Sequence, residues 1–367
     1  MRACFLCVAA ACLAPPLGAR AAAPASAAGK AAPAAPAAAP VTLPFVKADA
    51  EGAVRDLAGA VEENYVFPDM GRKYAEFLRA NLADGKYASF ADADAFARQV
   101  TEDLRAFHKD GHLRLEAIRP EQRGPAQAPN GGPPNANGVA KAGWLAPGVA
   151  YIDFDGFPGN EATLAAVRDF LATHRDAKTL IIDARHNGGG GLAEMNLIFA
   201  QVFARPTILV DMDIRTAVEE KYGSPFDPND PLLRRIKGPE TINRREHLVV
   251  PAADQGGLGH AKIYLLTSKR TFSAAEHLSL SLKRTHRATL IGEATGGGAH
   301  FGGLAPMGTG YAAFIPVGRT FDPDTSESWE GTGVKPDVEV PADKALDEAL
   351  RLAGVTLSGQ AALASLK

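Results

Sequence analysis

The feature that most constrains the fold is an alternation of short apolar strands and amphipathic helices in the second half of the chain. Apolar strands that carry few polar positions are typical of a parallel sheet covered by helices on both faces. Alternation of this kind predicts an α/β fold. Between residues 148 and 294 the segments run, in order, GVAYIDFDGF, NEATLAAVRDFLATH, TLIIDARHNGGGG, LAEMNLIFAQVF, KIYLLTS, a helix after Ser273, and ATLIGEA.

A helical region precedes this alternation. Three stretches repeat apolar residues at spacings of three and four, and they predict an N-terminal helical domain over residues 46–122. Residues 123–140 are rich in Pro, Gly and Asn and predict a flexible loop. We expect the α/β core to occupy residues 141–345, with a polar insertion at 204–260 that frames a cleft, and a helical tail at 346–367.

The beginning of the chain has a different composition. Residues 1–21 combine one positive charge, an apolar run too short to cross a bilayer and several small residues, which is typical of a secretory signal peptide. Residues 22–45 form an Ala/Pro-rich linker. We therefore expect a secreted or periplasmic protein without a transmembrane span. Lipid attachment at Cys12 is the alternative.

Composition excludes several kinds of chemistry. All three cysteines, Cys4, Cys7 and Cys12, lie in the leader, so the rest of the chain has no disulfide, thiolate metal site or cysteine nucleophile. The nine histidines show no H-E-x-x-H spacing, and we expect neither a metal nor a cofactor. A net charge of −3 over 367 residues gives no reason to expect nucleic acid. The oligomeric state stays open.

A serine stands where a buried strand gives way to a helix, in TSKRTFSAAEHL. A turn of this kind can hold the Ser273 hydroxyl rigidly at the edge of the sheet. The alternative is an ordinary helix start, because Ser273 and Glu276 also match the S-x-x-E capping box.

Four consecutive glycines, Gly188 to Gly191, follow another buried strand. Glycines there leave backbone N–H groups free to bind an anion or a developing oxyanion. A phosphate-binding loop does not fit, because no Lys-Ser or Lys-Thr follows, and a simple tight turn is the alternative. Since both loops follow strands of one parallel sheet, we expect them side by side. A serine beside an anion-binding turn indicates acyl transfer.

A serine nucleophile requires a base. The candidate is His112 in DGHLRL, whereas His277 is expected to point away along the helix that follows Ser273. Glu330 in SWEGTGVKPDVEV or Asp110 could orient the imidazole. A histidine base predicts that activity falls as the pH drops through a pKa of about 6.5, raised further by a neighbouring carboxylate.

Six segments in this order resemble the S41 serine peptidase family, which includes C-terminal processing peptidases, tricorn core peptidases and interphotoreceptor retinoid-binding protein. The resemblance extends over about residues 50 to 345, and it implies a crotonase-like ββα core with Ser273 as nucleophile. It also implies an oxyanion hole from the N–H groups of Ala274 and of a glycine, Gly189 or Gly188. The segments are ENYVFPD, DGHLRL, LIIDARHNGGG, LTSKRTFSAAEHL, LIGEATGGG and WEGTGVKPDVEV.

Two departures from the family indicate the branch. Gly298 stands where the Ser-Lys branch carries its lysine, and residues 116–150 are too few for the PDZ module of that branch. The chain is more similar to the tricorn and retinoid-binding branch, whose Ser-His-Glu arrangement implies His112 as base and Glu330 as orienting carboxylate.

The position before the histidine departs from tricorn peptidases, which have a serine there that relays to the glutamate. Here that position is Gly111, so Asp110 is a second candidate for the orienting role. The sequence thus predicts a serine endopeptidase that cleaves extended or unfolded polypeptides through an acyl-enzyme. The alternative is a catalytically inactive binding protein for apolar ligands.

Overall fold

The computed structural model describes residues 42–119 and 138–366. The predicted signal peptide, nearly all of the linker and most of the 123–140 loop lie outside the described residues. The helices are α1 (Lys47–Asn64), α2 (Pro68–Ala83), α3 (Ala93–Phe107), α4 (Glu161–Thr173), α5 (Ala193–Val202), α6 (Thr216–Tyr222), α7 (Ala274–Arg284), α8 (Ala345–Leu352) and α9 (Gly359–Ala364). None of these helices is both long and apolar enough to cross a membrane.

The strands form two sheets. They are β1 (Arg114–Ala117), β2 (Val139–Ala146), β3 (Val149–Phe154), β4 (Thr179–Asp183), β5 (Thr207–Arg215), β6 (Leu233–Ile236), β7 (Ile242–Val249), β8 (Lys262–Thr267), β9 (Thr289–Gly292), β10 (His300–Pro306), β11 (Tyr311–Phe321) and β12 (Val338–Glu339).

The first sheet has the order β12-β9-β8-β4-β3-β2, and its strands are parallel except for β2. Helices cover both of its faces. On β4, Leu180 and Ile182 point into the core shared with α4, α5 and α7, while Ile181 points into the core shared with α8 and α9. Burial on both faces explains why these strands are apolar at nearly every position. The α/β fold predicted from their alternation with helices is confirmed.

The N-terminal helices pack against the second sheet. Side chains of α1, α2 and α3 share one core with β1 and β11, in which the rings of Phe96 and Tyr311 meet at 5.2 Å. Helix α3 begins where the side chain of Asp92 accepts a hydrogen bond from the Ala95 N–H at 2.6 Å, as expected of an N-cap. The predicted N-terminal helical region is confirmed.

The second sheet is antiparallel, with the order β1-β11-β5-β7-β6 and with β10 paired to β11 alone. The 204–260 segment, predicted as a polar insertion, supplies β5, β6 and β7 of this sheet. Leu209 and Val210 of β5 are fully buried, so the segment is part of the protein interior as well as of its surface.

Candidate active site

The loops that follow β4 and β8 lie side by side, because these two strands are parallel neighbours. Hydrogen bonds join them directly. The Thr271 hydroxyl donates to the Ala184 carbonyl at 2.7 Å, and the Phe272 N–H donates to the Asn187 carbonyl at 3.0 Å. The serine turn and the glycine turn therefore meet at the carboxyl edge of the sheet, as the sequence predicted.

Ser273 has an unusual backbone conformation. Its φ is 56° and its ψ is −119°, whereas an ordinary N-cap residue has extended backbone. A non-glycine residue at positive φ is strained, and such strain is concentrated at functional sites. The Ser273 Oγ lies 3.0 Å from Nε2 of His112. The hydroxyl therefore faces a histidine that lies on a different part of the fold.

Glu276 holds the serine turn in place. Its buried carboxylate accepts a hydrogen bond from the Ser273 N–H at 2.8 Å, which is the glutamate half of the predicted capping box. It also accepts from the Thr295 hydroxyl at 2.5 Å and from the N–H groups of Gly297 and Gly298 at 2.7 Å. Burial raises the pKa of Glu276, and these hydrogen bonds oppose that rise. The cap was predictable from the S-x-x-E pattern, whereas this link to a third loop has no local pattern in the sequence.

His112 is held by its backbone and by ring packing. One oxygen of Asp110 accepts hydrogen bonds from the His112 and Leu113 N–H groups, both at 2.8 Å, and so shapes the turn before β1. The imidazole packs between the rings of Phe272 and Phe314, with centroid distances of 4.6 and 5.3 Å. Burial lowers the pKa of His112 to about 4.

The second nitrogen of the His112 ring, Nδ1, is buried and has no hydrogen-bond partner in the described part of the chain. Glu330, the carboxylate implied by the family resemblance, instead accepts from the Gly111 N–H at 2.6 Å. Its other oxygen accepts from the N–H groups of Ala299 and His300, at 2.6 and 3.0 Å. In this structure Glu330 thus positions backbone around the histidine and does not touch the ring.

Asp110, the second orienting candidate, also lacks a contact with the His112 ring. Its other carboxylate oxygen, Oδ2, accepts a hydrogen bond from the Tyr65 hydroxyl at 2.7 Å and one from Nδ1 of His300 at 2.8 Å. Burial alone would raise the pKa of Asp110, but the His300 hydrogen bond and charge lower it. An orienting role for Glu330 or Asp110 on the imidazole therefore stays a prediction.

In the part of the chain that the structure describes, Asp110, His300 and Glu330 have ligand atoms within 4.8 Å of one another, close enough to hold a metal ion. Every carboxylate oxygen of this cluster already accepts a hydrogen bond from protein. The cluster therefore fits a buried hydrogen-bonded network better than an ion site.

Gly111 is closely packed. A Cβ atom at this position would lie 3.0 Å from the Gly297 carbonyl oxygen and 3.0 Å from the ring of Phe272. A serine here, as tricorn peptidases have, would force these neighbours apart. The departure from the tricorn pattern is thus matched by the surrounding structure.

The predicted oxyanion donors lie next to Ser273. Across the residues that the structure describes, the N–H groups of Ala274 and Gly188 donate no hydrogen bond. For Ala274 this is usual, because it is the first residue of helix α7. The Gly189 N–H donates to the side chain of Asn187 at 2.8 Å. Ala274 therefore presents a free donor beside Ser273, the N–H of Gly188 is also free, and the Gly189 donor is engaged.

A cavity of about 50 Å³ opens beside Ser273 and Ala274. His277, which sequence analysis expected to point away, lies on its wall. Most of the remaining wall is apolar and includes Leu192, Met212, Phe226, Phe301 and Trp329.

Comparison with protein families gives two matches. Residues 148–340 match the model of peptidase family S41, and residues 41–142 match the model of the N-terminal domain of Peptidase S41 in eukaryotic IRBP. Together the matched segments contain both Ser273 and His112.

Solved structures share the fold. A candidate peptidase from Parabacteroides merdae superposes with a TM-score of 0.54 at 17% identity, covering 87% of this chain and 96% of that one. The photosystem II D1 C-terminal processing protease gives 0.50 at 15%, covering 84% and 98%. Tricorn protease gives 0.53 at 13%, covering 87% of this chain and 36% of that one. The predicted crotonase-like fold is confirmed.

Proposed function

The chain belongs to peptidase family S41, and from that premise we propose that it is a serine endopeptidase with Ser273 as nucleophile and His112 as general base. The observation that carries the proposal is the distance of 3.0 Å between the Ser273 Oγ and the His112 Nε2. A contact of this length allows direct proton transfer. The strained turn at Ser273 holds the hydroxyl in place for attack.

The proposed reaction proceeds in two halves. His112 takes the proton of Ser273 as Oγ bonds to the carbonyl carbon, and the carbonyl oxygen becomes an oxyanion that accepts from Ala274 and the glycine turn. His112 then gives that proton to the leaving amine as the peptide C–N bond breaks. A water molecule, deprotonated by His112, hydrolyses the acyl-enzyme and releases Ser273.

The substrate that we propose is an extended or unfolded polypeptide segment. Among the strands that the structure describes, β10 pairs with β11 alone, and it begins at His300, on the wall of the cavity beside Ser273. An unpaired strand edge can bind an extended chain through backbone hydrogen bonds, whatever the side chains of that chain. Such binding would place a polypeptide across Ser273.

The pH dependence of activity should reflect the buried environment of His112. A base acts only when neutral, and burial lowers the pKa of His112 to about 4. We therefore expect kcat/KM to stay level below neutral pH and to fall as the pH drops through about 4, instead of near 6.5 as the sequence suggested. Circular dichroism in the same buffers separates this fall from acid unfolding. An acid limb at or above 6.5 in folded protein would contradict the expectation.

The glycine turn provides a second prediction. A Cβ at Gly189, where φ is +99°, would lie 2.8 Å from the Ser273 Cβ and 3.0 Å from the Ala274 nitrogen. We expect Gly189→Ala to lower kcat at least about 100-fold, because the added Cβ would displace the Ser273 turn and with it the free Ala274 N–H, and loss of an oxyanion donor costs about this much. Gly59→Ala on α1 is the control, because a Cβ there also meets nothing within 4 Å, and its activity should stay close to wild type. A normal kcat in folded Gly189→Ala would show that the glycine turn takes no part in catalysis.

The rival function is an inactive binding protein for apolar ligands. An apolar groove of about 350 Å³ between α6 and β10, lined by Val218, Tyr222 and Leu304 among others, favours it. Reaction of the purified protein with a fluorophosphonate probe distinguishes the two functions. Labelling mapped to Ser273, together with cleavage of an unfolded protein such as reduced casein, supports the peptidase. A folded protein that binds an apolar fluorophore but is neither labelled nor active would support the inactive binding protein instead.

We also propose a secreted or periplasmic location, supported by the composition of residues 1–21. Expression of the full chain in bacteria, followed by fractionation and mass spectrometry of the N-terminal peptide, tests it. Cleavage near residue 21 is expected, and a lipid on Cys12 would indicate anchoring instead.

A further inference from the structure

A row of polar groups with no part in the proposed mechanism leads from α5 to the cavity beside Ser273. The side-chain oxygen of Asn196 lies 2.8 Å from Nε2 of His247, and Nδ1 of His247 lies 2.8 Å from Nε2 of His277. His247 is completely buried and His277 is 3% exposed. Two interacting imidazoles in the interior require an explanation, because burial of polar groups is costly unless they are paired in a defined way.

The hydrogen bonds fix the tautomer of both rings. Burial lowers the pKa of His247 to about 3 and that of His277 well below its usual range, so each ring carries a single N–H. Since the Asn196 oxygen only accepts, His247 donates from Nε2 and accepts at Nδ1. His277 must then donate from Nε2. The lone pair of His277 is therefore at Nδ1.

That lone pair belongs to a side chain on the cavity wall. His277 lies one turn beyond Ser273 on α7, and its N–H donates to the Ser273 carbonyl at 3.0 Å. Its Nδ1 has no hydrogen-bond partner among residues 42–119 and 138–366. The other polar side chains of the wall distinguish less between a hydrogen-bond donor and an acceptor on the substrate. Thr320 can donate or accept, and Nδ1 of His300 is engaged with Asp110.

The cavity lies beside the attacked bond, since Ser273 and Ala274 form part of its wall. The residue that supplies the attacked carbonyl can therefore place its side chain here. A volume of about 50 Å³ has room for a few water molecules, which corresponds to a small side chain. A small side chain with a hydroxyl would satisfy the His277 acceptor, whereas an apolar one would leave it unpaired.

We propose that His277 is the specificity-determining residue of this site, and that it selects serine or threonine on the acyl side of the scissile bond over side chains of equal size without a donor. This inference rests on the proposed peptidase function. It concerns the selection of substrates and leaves the roles of Ser273 and His112 unchanged.

The test uses pairs of peptides that differ only at the acyl-side residue, threonine against valine and serine against alanine. For the wild-type protein we expect kcat/KM to favour the hydroxyl member about 10- to 100-fold, because a site built to bind a hydroxyl rejects the analogue that lacks it. His277→Leu should abolish the preference by slowing cleavage of the threonine and serine peptides. His277→Gln, which keeps an acceptor of similar reach, should restore part of it.

Fluorophosphonate labelling is measured on every variant, since it reports Ser273 and His112 independently of the peptide. Labelled and active wild-type protein that cleaves both members of a pair equally would overturn the inference and leave the peptidase standing. The same holds if folded His277→Leu keeps the preference, or if wild type favours an acyl-side residue that can only accept, such as aspartate. A folded wild-type protein that is neither labelled nor active would refute the proposed function and this inference with it.

Discussion

Ser273→Ala is expected to lose fluorophosphonate labelling completely and to reduce kcat by about a millionfold, the order lost when the serine of a Ser-His site is removed. The reason is that Ser273 Oγ is the atom that would form the acyl bond, and it lies 3.0 Å from its base. Residual turnover should come only from binding and from the oxyanion donors. The measurement is single-turnover cleavage of a fluorogenic peptide, with labelling followed in parallel.

The variant should fold, because alanine at a φ of 56° is strained about as much as serine and the Ser273 N–H bond to Glu276 is kept. Ser281→Ala is the matched control. Ser281 lies on the same helix, and its buried hydroxyl has no hydrogen-bond partner in the described part of the chain. This control should be labelled and active like wild type. Substantial turnover in folded Ser273→Ala would refute the nucleophile assignment.

His112→Ala is expected to lower kcat by about 10⁴- to 10⁶-fold, as removal of the base in such sites does. Because Ala would also leave a gap between Phe272 and Phe314, His112→Phe is measured beside it. The phenylalanine ring fills that space but has no nitrogen to accept a proton. Both variants should be inactive, and His112→Phe should unfold at a temperature closer to that of wild type.

Lysine variants provide the control for the alternative base. Lys269 is exposed, and Lys283 donates to the Lys335 carbonyl at 2.6 Å and pairs with Asp337 at 3.2 Å. Neither contacts Ser273, so Lys269→Ala and Lys283→Ala should retain near wild-type kcat. Normal activity in a folded His112 variant, or its loss in a lysine variant, would exclude the Ser-His pair and leave Ser273 to be paired with another base.

The second sheet shows where sequence patterns lose their predictive value. The strands of the first sheet are buried on both faces, so their apolar runs could be recognised from sequence. Strand β7 alternates buried residues with partly exposed charged ones such as Arg244 and Glu246, which also occur in polar surface segments. Strand β5 places the charged Asp211 and Asp213 between apolar residues, although both are buried. An antiparallel strand with a polar face has a weak local signal, and the 204–260 segment was therefore predicted as an insertion.

The sequence alone determined the features that depend on local order. Apolar periodicity predicted the parallel strands and their helices. Because neighbouring parallel strands end at the same edge of a sheet, the sequence also predicted that Ser273 lies beside Gly188 and Gly189. Even Glu276 could be identified as a cap, because its partner is three residues away. Each of these features is fixed by residues close together in the chain or by a general rule of topology.

Only the tertiary structure decided what surrounds the reacting groups. His112 and Ser273 are 161 residues apart, and Glu330 reaches the Gly111 backbone across 219 residues. The carboxylates therefore bind backbone and His300 where the sequence led us to expect the His112 ring. Burial, the free Nδ1 and the lowered pKa of His112 all arise from packing between distant segments. Desolvation and hydrogen bonding act through space, so no local pattern could specify them.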